Sequence, residues 1–325
     1  MTDWKKLHGD AFVNVRCLVT GGAGFIGSHI VEALTALGAR ITVIDNLIGG
    51  DRGNINPFKH DFVEGSILDR AALGRAMDGA TYIFHLAALG SVPHSVEKPV
   101  EYHEADATGT LTVLDVARKA GVKRVIYSAS SSAYGERPAL PKVETMAPDP
   151  RSPYAAAKLA GESYMTCFAA SYGLDTASLR YFNIFGPRQN PNSAYAAVIA
   201  AFAKAILAGK PPTIFGDGEQ SRDFTFVHNA VHANLLAARH AKPIMGDVLN
   251  VACGQRVSLN QLAPMMCKLL GREDLHPRYG PERAGDVKHS LADLTHINDV
   301  LGYQPIVDLA PGLDATLKWY STVLT

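Results

Sequence analysis

The stretch VRCLVTGGAGFIGSHIVEALTALGARITVIDN, residues 15–46, constrains the fold more than any other part of the chain. A short apolar run ends in glycines. A segment with helical spacing follows and closes at Gly38, and a second apolar run ends at Asp45. Two parallel strands cannot be joined by a hairpin; they need a crossover, and a helix supplies it. The alternation continues: TYIFHLAA (81–88) and KRVIYSAS (123–130) read as strands, with the helix GTLTVLDVARKAG (109–121) between them. Strands separated by helices imply an α/β fold, a doubly wound parallel sheet covered on both faces. In such sheets ligands sit beyond the carboxyl ends of the strands, near the point where strand order reverses. Functional residues are therefore expected directly after strands.

The first strand is followed by TGGAGFIGSH, in which Gly21, Gly24 and Gly27 are three apart. Glycine lets the backbone turn sharply and approach a pyrophosphate at a helix N-terminus, where free N–H groups point at the anion. Asp45 ends the second strand about 20 residues further on, where a carboxylate accepts hydrogen bonds from an adenosine ribose and repels a 2′-phosphate. Alone, the loop fits any tight turn and Asp45 fits the turn-rich DNLIGGDRGN that it opens. Together they point to NAD.

Composition narrows the class of function. The chain has 325 residues, 47% of them apolar, and a formal net charge of zero, so no basic field exists to attract nucleic acid or an anionic membrane. The longest apolar run, residues 194–203, is half of what a bilayer span needs and reads as a buried or partner-facing helix. Cys17, Cys167, Cys253 and Cys267 are scattered without a CxxC pair, and the opening MTDWKKLHGDAF lacks the apolar stretch of a signal peptide. The expectation is a cytoplasmic protein with reduced thiols. Histidines show no HExxH-like spacing, so no metal is expected.

SPYAAAKLAGE (152–162) places one phenol, Tyr154, a helical turn from one amine, Lys158, on an otherwise bland face. By itself this pair is ordinary on a solvated helix, and Ser130 in SASSSAYG is an ordinary turn or capping serine. The order of the glycine loop, HLAALGSV, SASSSAYG and YxxxK resembles the extended short-chain dehydrogenase/reductase family, and more narrowly its nucleotide-sugar 4-epimerases of the UDP-glucose or UDP-N-acetylglucosamine type. The resemblance runs from about residue 15 to 320. It implies a modified Rossmann domain, 1–182 plus 225–252, and a smaller mixed α/β lobe that binds the nucleotide sugar, 183–224 plus 253–325. It also implies a homodimer in which GTLTVLDVARKAG and the helix carrying Tyr154 pair with their copies in a four-helix bundle.

By the same resemblance Tyr154 is the acid/base, Lys158 holds the nicotinamide ribose, and Ser130 assists. A free phenol titrates near 10, so only about 0.1% is ionised at neutral pH. A base poised near 7 needs a shift of about three units, roughly 4 kcal/mol. Lys158 and a positive nicotinamide both favour the phenolate. Gly21, Gly24, Phe25, Ile26, Gly27, Asp45, Asn46, Ser66, Ile67, Leu86, Ala87, Ala88 and Tyr181 complete the expected NAD contacts. On the sugar side the resemblance implies Ser91, Ser130, Ser131, Ser132 and Ser290. It also implies Asn183, Arg222 and Arg283 for the diphosphate, Ala197 and Val198 for the uracil, and Asp286 for the nucleotide ribose. The partner is a UDP-sugar.

Sister activities differ at two positions. The family's 4,6-dehydratases carry Asp and Glu after the catalytic hydroxyl residue, and its UDP-glucuronate decarboxylases carry Glu at the second position; here these are Ser131 and Ser132. That favours 4-epimerisation through a transient keto sugar. The alternatives are a UDP-glucuronate 4-epimerase or decarboxylase and, from another class, a non-catalytic NAD-binding regulator. Epimerases restricted to glucose and galactose often carry Tyr where this chain has Ser290, which implies that N-acetyl sugars fit. Two departures stand out: Ser66 replaces an Asp that reads the adenine amine, and Asp106 stands where the family commonly has Asn.

Overall fold

The computed structural model describes residues 2–191, 198–282 and 288–324. Seven strands form one parallel sheet: β1 (Arg16–Thr20), β2 (Arg40–Asp45), β3 (Asp61–Glu64), β4 (Tyr82–His85), β5 (Arg124–Ser130), β6 (Asp175–Tyr181) and β7 (Asp247–Val251). Their spatial order is β7-β6-β5-β4-β1-β2-β3. The chain runs outward from β1 to β3, then crosses back to β4 on the other side of β1. The switch point therefore lies between β1 and β4. Thr20 stands level with Ile44 and with His85, so the segments after β1, β2 and β4 emerge side by side.

The central strands β1, β2 and β4 are largely apolar because both faces are covered. Successive side chains alternate. Val19, Val43, Phe84 and Ile126 pack with α1 (Phe25–Ala36) and a later helix, Val227–Arg239, on one face. Leu18, Ile44, Ile83 and Val125 pack on the other, against α2 (Arg70–Met77), α3 (Gly109–Ala120) and α4 (Pro153–Tyr172). β3 is the edge strand that the apolar pattern does not announce: its ends are exposed and its middle only half-buried.

The smaller lobe packs α5 (Val198–Leu207), α7 (Leu259–Leu269) and α8 (Leu309–Leu324) around Phe185, Phe224 and Phe226. Only the part of the apolar run 194–203 from Val198 onward is described. It opens α5 and buries Ile199, Ala200, Phe202 and Ala203. Between these elements the chain returns to the sheet as α6 (Val227–Arg239) and β7. Asp223 joins the segments on either side of this return: fully buried, it accepts from the N–H groups of Cys253 (2.9 Å), Gly254 (3.0 Å) and Ala292 (3.2 Å).

Arg124, at the start of β5, shows why a cation is buried under the sheet. It pairs with Asp175 and donates to the carbonyls of Ala237, Ala238, His240 and Lys242. These are C-terminal carbonyls of α6 and of the loop beyond it, and a helix leaves its last four unsatisfied. The first dozen residues also have a structural role. The one-turn helix Trp4–His8 buries Trp4 and sets His8 Nε2 3.1 Å from His232 Nδ1 on α6. Among the described residues no helix is long and apolar enough to cross a membrane, and none forms a metal-ligand cluster.

Candidate active site

The ends of β1, β2, β4, β5 and β6 open into one cleft of about 1350 Å³, continuous with the smaller lobe. A single small-molecule pocket holds roughly 300–1,000 Å³. This cleft therefore has room for two ligands end to end.

The cofactor half rests on backbone. Gly21 sits at φ +67°, and a Cβ there would lie 2.6 Å from the amide nitrogen of Ala87. A Cβ on Gly27 would be driven into the carbonyl oxygen of Gly21. The loop is thus folded tightly against the segment after β4, and only glycine allows it. α1 starts immediately after Gly24, with no side-chain cap and no acid in its first turn. Its free N–H groups face the cleft, an arrangement that attracts a pyrophosphate. Asp45 is buried at the end of β2; its carboxylate accepts from Ala23 N (2.9 Å) and Leu47 N (2.8 Å) and still borders the cleft. These features fit NAD: a glycine cradle, an uncapped helix terminus and a carboxylate at the end of the second strand.

Leu86 and Ala87 donate their N–H groups to Thr20 Oγ1, both at 3.2 Å, which fixes the wall formed by Leu86, Ala87 and Ala88. Phe25, Ile26, Asn46, Ser66 and Ile67 also line the cleft. Ser66 closes its own turn, accepting from Leu68 N at 3.2 Å. Tyr181 borders the cleft as well, and its hydroxyl accepts from Asn234 at 2.5 Å.

α4 places the next group. Ser152 caps it by accepting from Ala155 N (3.1 Å), and Pro153 occupies its first position, which sets the entry angle of Tyr154. Lys158, one turn on and 4% exposed, donates to the Ser128 carbonyl at 2.9 Å and lies 4.9 Å from the centre of the Tyr127 ring. Ser130, at the end of β5, accepts from Ser132 through both its N–H (3.2 Å) and its hydroxyl (2.8 Å), which leaves the Ser130 proton to donate. The structure thus brings Ser130, Tyr154 and Lys158 to one wall of the cleft. The protein's own groups raise the phenol, whereas the sequence-based expectation of a lowered one rests on Lys158 together with a bound nicotinamide. Burial pushes Tyr154 up to about 12; a hydrogen bond with Ser130 opposes this, while Asp106 and Tyr102 add to it. Burial also lowers Lys158, against the pull of Asp106 and Glu162.

On the sugar side, Ser131, Ser132, Asn183, Arg222 and Ser290 line the cleft. Asn183 adopts φ +41°, rare for a residue with a side chain, and its amide donates to the Asp223 carbonyl (3.3 Å) and Ser290 Oγ (3.5 Å). Two expected residues are not among the described residues that line the cleft. Ser91 caps the next helix by accepting from His94 N (3.3 Å), so its neighbours Gly90 and Val92 form the wall instead. Val198 opens α5, half-buried against the core of the smaller lobe, and is not among the described lining residues. Ala197, Arg283 and Asp286 lie outside the described residues. The sequence analysis missed Lys142, Arg151 and Gln189, which also line the cleft. They come from loops without a spacing signal.

The family model for the NAD dependent epimerase/dehydratase family matches residues 17–252. A UDP-glucose 4-epimerase of Mycolicibacterium smegmatis is 39% identical, over 94% of this chain and 98% of that protein. Two solved structures superpose over 96% of this chain and 100% of their own. One is a UDP-N-acetylglucosamine 4-epimerase from Methanobrevibacter ruminantium in complex with UDP-N-acetylmuramic acid (41% identity, TM-score 0.91). The other is a UDP-glucose 4-epimerase from Thermotoga maritima with UDP-glucose (40%, TM-score 0.90). The cleft geometry and these likenesses agree, and the chain is an enzyme of the NAD dependent epimerase/dehydratase family, with NAD as its cofactor.

Proposed function

We propose that the protein interconverts the C4 epimers of a UDP-hexose through a transient 4-keto sugar. The observation that supports this most is the make-up of the wall around Ser130, Tyr154 and Lys158. The adjoining positions are the hydroxyls Ser131 and Ser132, and, apart from Asp45 with its two N–H partners, the carboxylates among the described lining residues, Glu101, Glu104 and Glu136, are exposed. A second proton transfer, as elimination requires, calls for a desolvated and positioned carboxylic acid. None of these three is desolvated.

In this reading NAD, when bound, would supply a hydride acceptor for C4 that is restored within each turnover, and it would stay bound. Tyr154 takes the O4 proton and later restores it. Ser130, already accepting from Ser132, donates to the sugar oxygen and keeps it beside the phenol. Lys158, fixed to the Ser128 carbonyl, orients the nicotinamide ribose and supplies the positive charge that a buried phenol near 12 needs before it can act as a base. Arg222 and Arg283 hold the diphosphate while the sugar turns, since a guanidinium donates two parallel hydrogen bonds to such a group. Asn183 assists them, Asp286 takes the nucleotide ribose, and Ala197 and Val198 take the uracil.

The same reading assigns residues 1–182 plus 225–252 to the cofactor and 183–224 plus 253–325 to the nucleotide sugar. It makes the enzyme a cytoplasmic homodimer through α3 and α4, which present the half-exposed Leu111, Val116, Leu159 and Tyr164. Sedimentation at twice the chain mass checks the dimer. Incubation with a panel of UDP-hexoses and UDP-glucuronate, read by NMR and mass spectrometry, checks the reaction. Epimers of unchanged mass support it. Loss of carbon dioxide identifies a decarboxylase. No reduction of bound NAD by any of these sugars makes the protein a regulator.

A further inference from the structure

Asp106 is a buried carboxylate that the reaction as described does not use. It is 1% exposed and sits in a π-helical turn, His103–Thr108, that leads into α3. Such turns are uncommon and gather at functional sites. One oxygen, Oδ1, accepts from Leu89 N at 2.8 Å, in the loop after β4 that walls the cleft. The other, Oδ2, is buried and accepts no hydrogen bond among the described residues. The Asp106 carbonyl accepts from Thr110, whose hydroxyl pairs with His85 (3.0 Å), which in turn pairs with Thr20 (2.8 Å) under the glycine loop. The position of the carboxylate is therefore set from both sides.

Its charge faces the proton-transfer groups. The π-turn packs on α4, which carries Lys158 and Tyr154, and the Tyr102 ring just before it stands edge-on to Tyr154 at 6.5 Å; the charge of Asp106 is felt by Lys158 and Tyr154 on α4, by Tyr127 on β5 and by Tyr102. Two other ionisable groups near this cluster are accounted for. Glu162 is paired with Arg180 through two hydrogen bonds (2.9 and 2.7 Å), and His85 is held neutral, pushed down to about 3 by burial and then by Lys158. A neutral amide could keep the bond to Leu89, so that bond alone does not call for a charge.

We propose that Asp106 is a positioning residue for proton transfer: its buried charge keeps Lys158 as the ammonium and opposes ionisation of Tyr154, so it sets the pH range over which the pair works. The inference rests on the proposed acid/base role of Tyr154. It makes a directional prediction. Removing the negative charge eases loss of the phenol proton and also eases loss of the lysine proton. Both limbs of the pH profile should then move down together.

The test is Asp106→Asn, which preserves shape and an acceptor for Leu89, beside Asp106→Ala, which preserves neither. Turnover of a UDP-hexose is followed across pH. Independently of turnover, ionisation of Tyr154 is followed in the NAD-loaded protein by ultraviolet difference absorbance, with Tyr154→Phe as the blank in each background. In Asp106→Asn the midpoint of Tyr154, and both limbs of the profile, should fall by about one pH unit. An unmoved midpoint, or limbs that stay in place while the maximum drops, would overturn the proposal and leave Asp106 as a loop anchor. The absorbance arm reads the proposal even if no UDP-hexose turns over, so failure of the proposed reaction and failure of this inference are distinguishable.

Discussion

The two ends of the cleft are built differently. At the end that the proposed reading gives to the cofactor the wall is mostly backbone: a loop that tolerates only glycine at Gly21 and Gly27 and a bare helix start, beside an Asp45 carboxylate already committed to two N–H groups. At the end it gives to the sugar the wall includes side chains on loops and short strands, such as Arg222, Asn183 and Ser290, brought from well-separated parts of the chain. Backbone contacts cannot be exchanged by substitution without remaking the turn, whereas side chains can. An enzyme arranged this way keeps one cofactor and is free to vary its sugar.

Tyr154 stands where the two ends meet, so its loss should separate binding from chemistry most sharply. Tyr154→Phe removes the proton carrier and keeps the ring against Tyr102. Turnover should fall by about 10³-fold, within the range for loss of a general acid/base. Bound NAD and the melting temperature should stay as in wild type. Turnover within tenfold of wild type would remove Tyr154 from its role.

Gly27→Ala attacks the backbone end alone. A methyl group there meets the Gly21 carbonyl, which cannot move without opening the loop. Overpacking of this kind costs about 1–3 kcal/mol, and if the loop yields, NAD affinity should fall by up to roughly 100-fold. Isothermal titration with NAD measures it. Undiminished affinity would mean that the close packing is incidental to binding.

Much of this contrast was legible in the sequence. The glycine loop, Asp45 and the strand ends were visible because the sheet is buried on both faces and reads as apolar runs broken by glycine. β3 was not marked out, because an edge strand with half-exposed residues carries no apolar run. Neither the capping role of Ser91 nor the packing of Val198 was legible, for a related reason. Whether a serine lines a cleft or caps a helix depends on the next turn, and whether the start of α5 faces the cleft depends on how the smaller lobe packs. That burial, Asp106 and Tyr102 raise Tyr154 was not legible, because a sequence shows only neighbours in the chain. Burial, and the approach of Asp106 and Tyr102 from another element, are tertiary facts.

The N-terminal segment extends the comparison to the far side of the cofactor domain. Burial pushes His8 down to about 3, with His232 and Arg239 adding to it, and pushes His232 down to about 4, with Arg239 adding. A histidine held below its unfolded value near 6.5 contributes stability that is full above pH 6.5 and is lost as pH falls toward the native value. Asp223, pushed up to about 6 by burial, has the opposite sign between roughly pH 4 and 6, so wild-type stability alone does not isolate the histidines. His8→Phe does. Denaturant unfolding at pH 7 and pH 5 should show the variant losing about 2 kcal/mol less than wild type over that interval. Equal losses would remove His8 from the acid response.

The smallest effect is expected at the sugar end, and it tests whether that end is the adaptable one. Ser290 is half-buried, lines the cleft, is fixed by its N–H to the Ser221 carbonyl at 3.0 Å, and accepts from Asn183 at 3.5 Å. Asn183 holds a left-handed backbone, a conformation that costs about 1–3 kcal/mol and persists where the surroundings enforce it. The two together form a fixed piece of wall with a small side chain. A sugar that leaves at C4 and returns flipped sweeps its C2 substituent past whatever stands there, and an acetamido group needs more room than a hydroxyl. Wild type should therefore accept UDP-GlcNAc and UDP-GalNAc as well as UDP-glucose and UDP-galactose. Ser290→Tyr should spare UDP-galactose and cut kcat/KM for UDP-GalNAc at least tenfold, about 1.4 kcal/mol of transition-state stabilisation. NAD content and stability should not change, in contrast to Gly27→Ala. If wild type rejects both acetamido sugars, or if the tyrosine variant handles them normally, the width of the wall is set elsewhere, and the adaptable end of the cleft does not begin at Ser290.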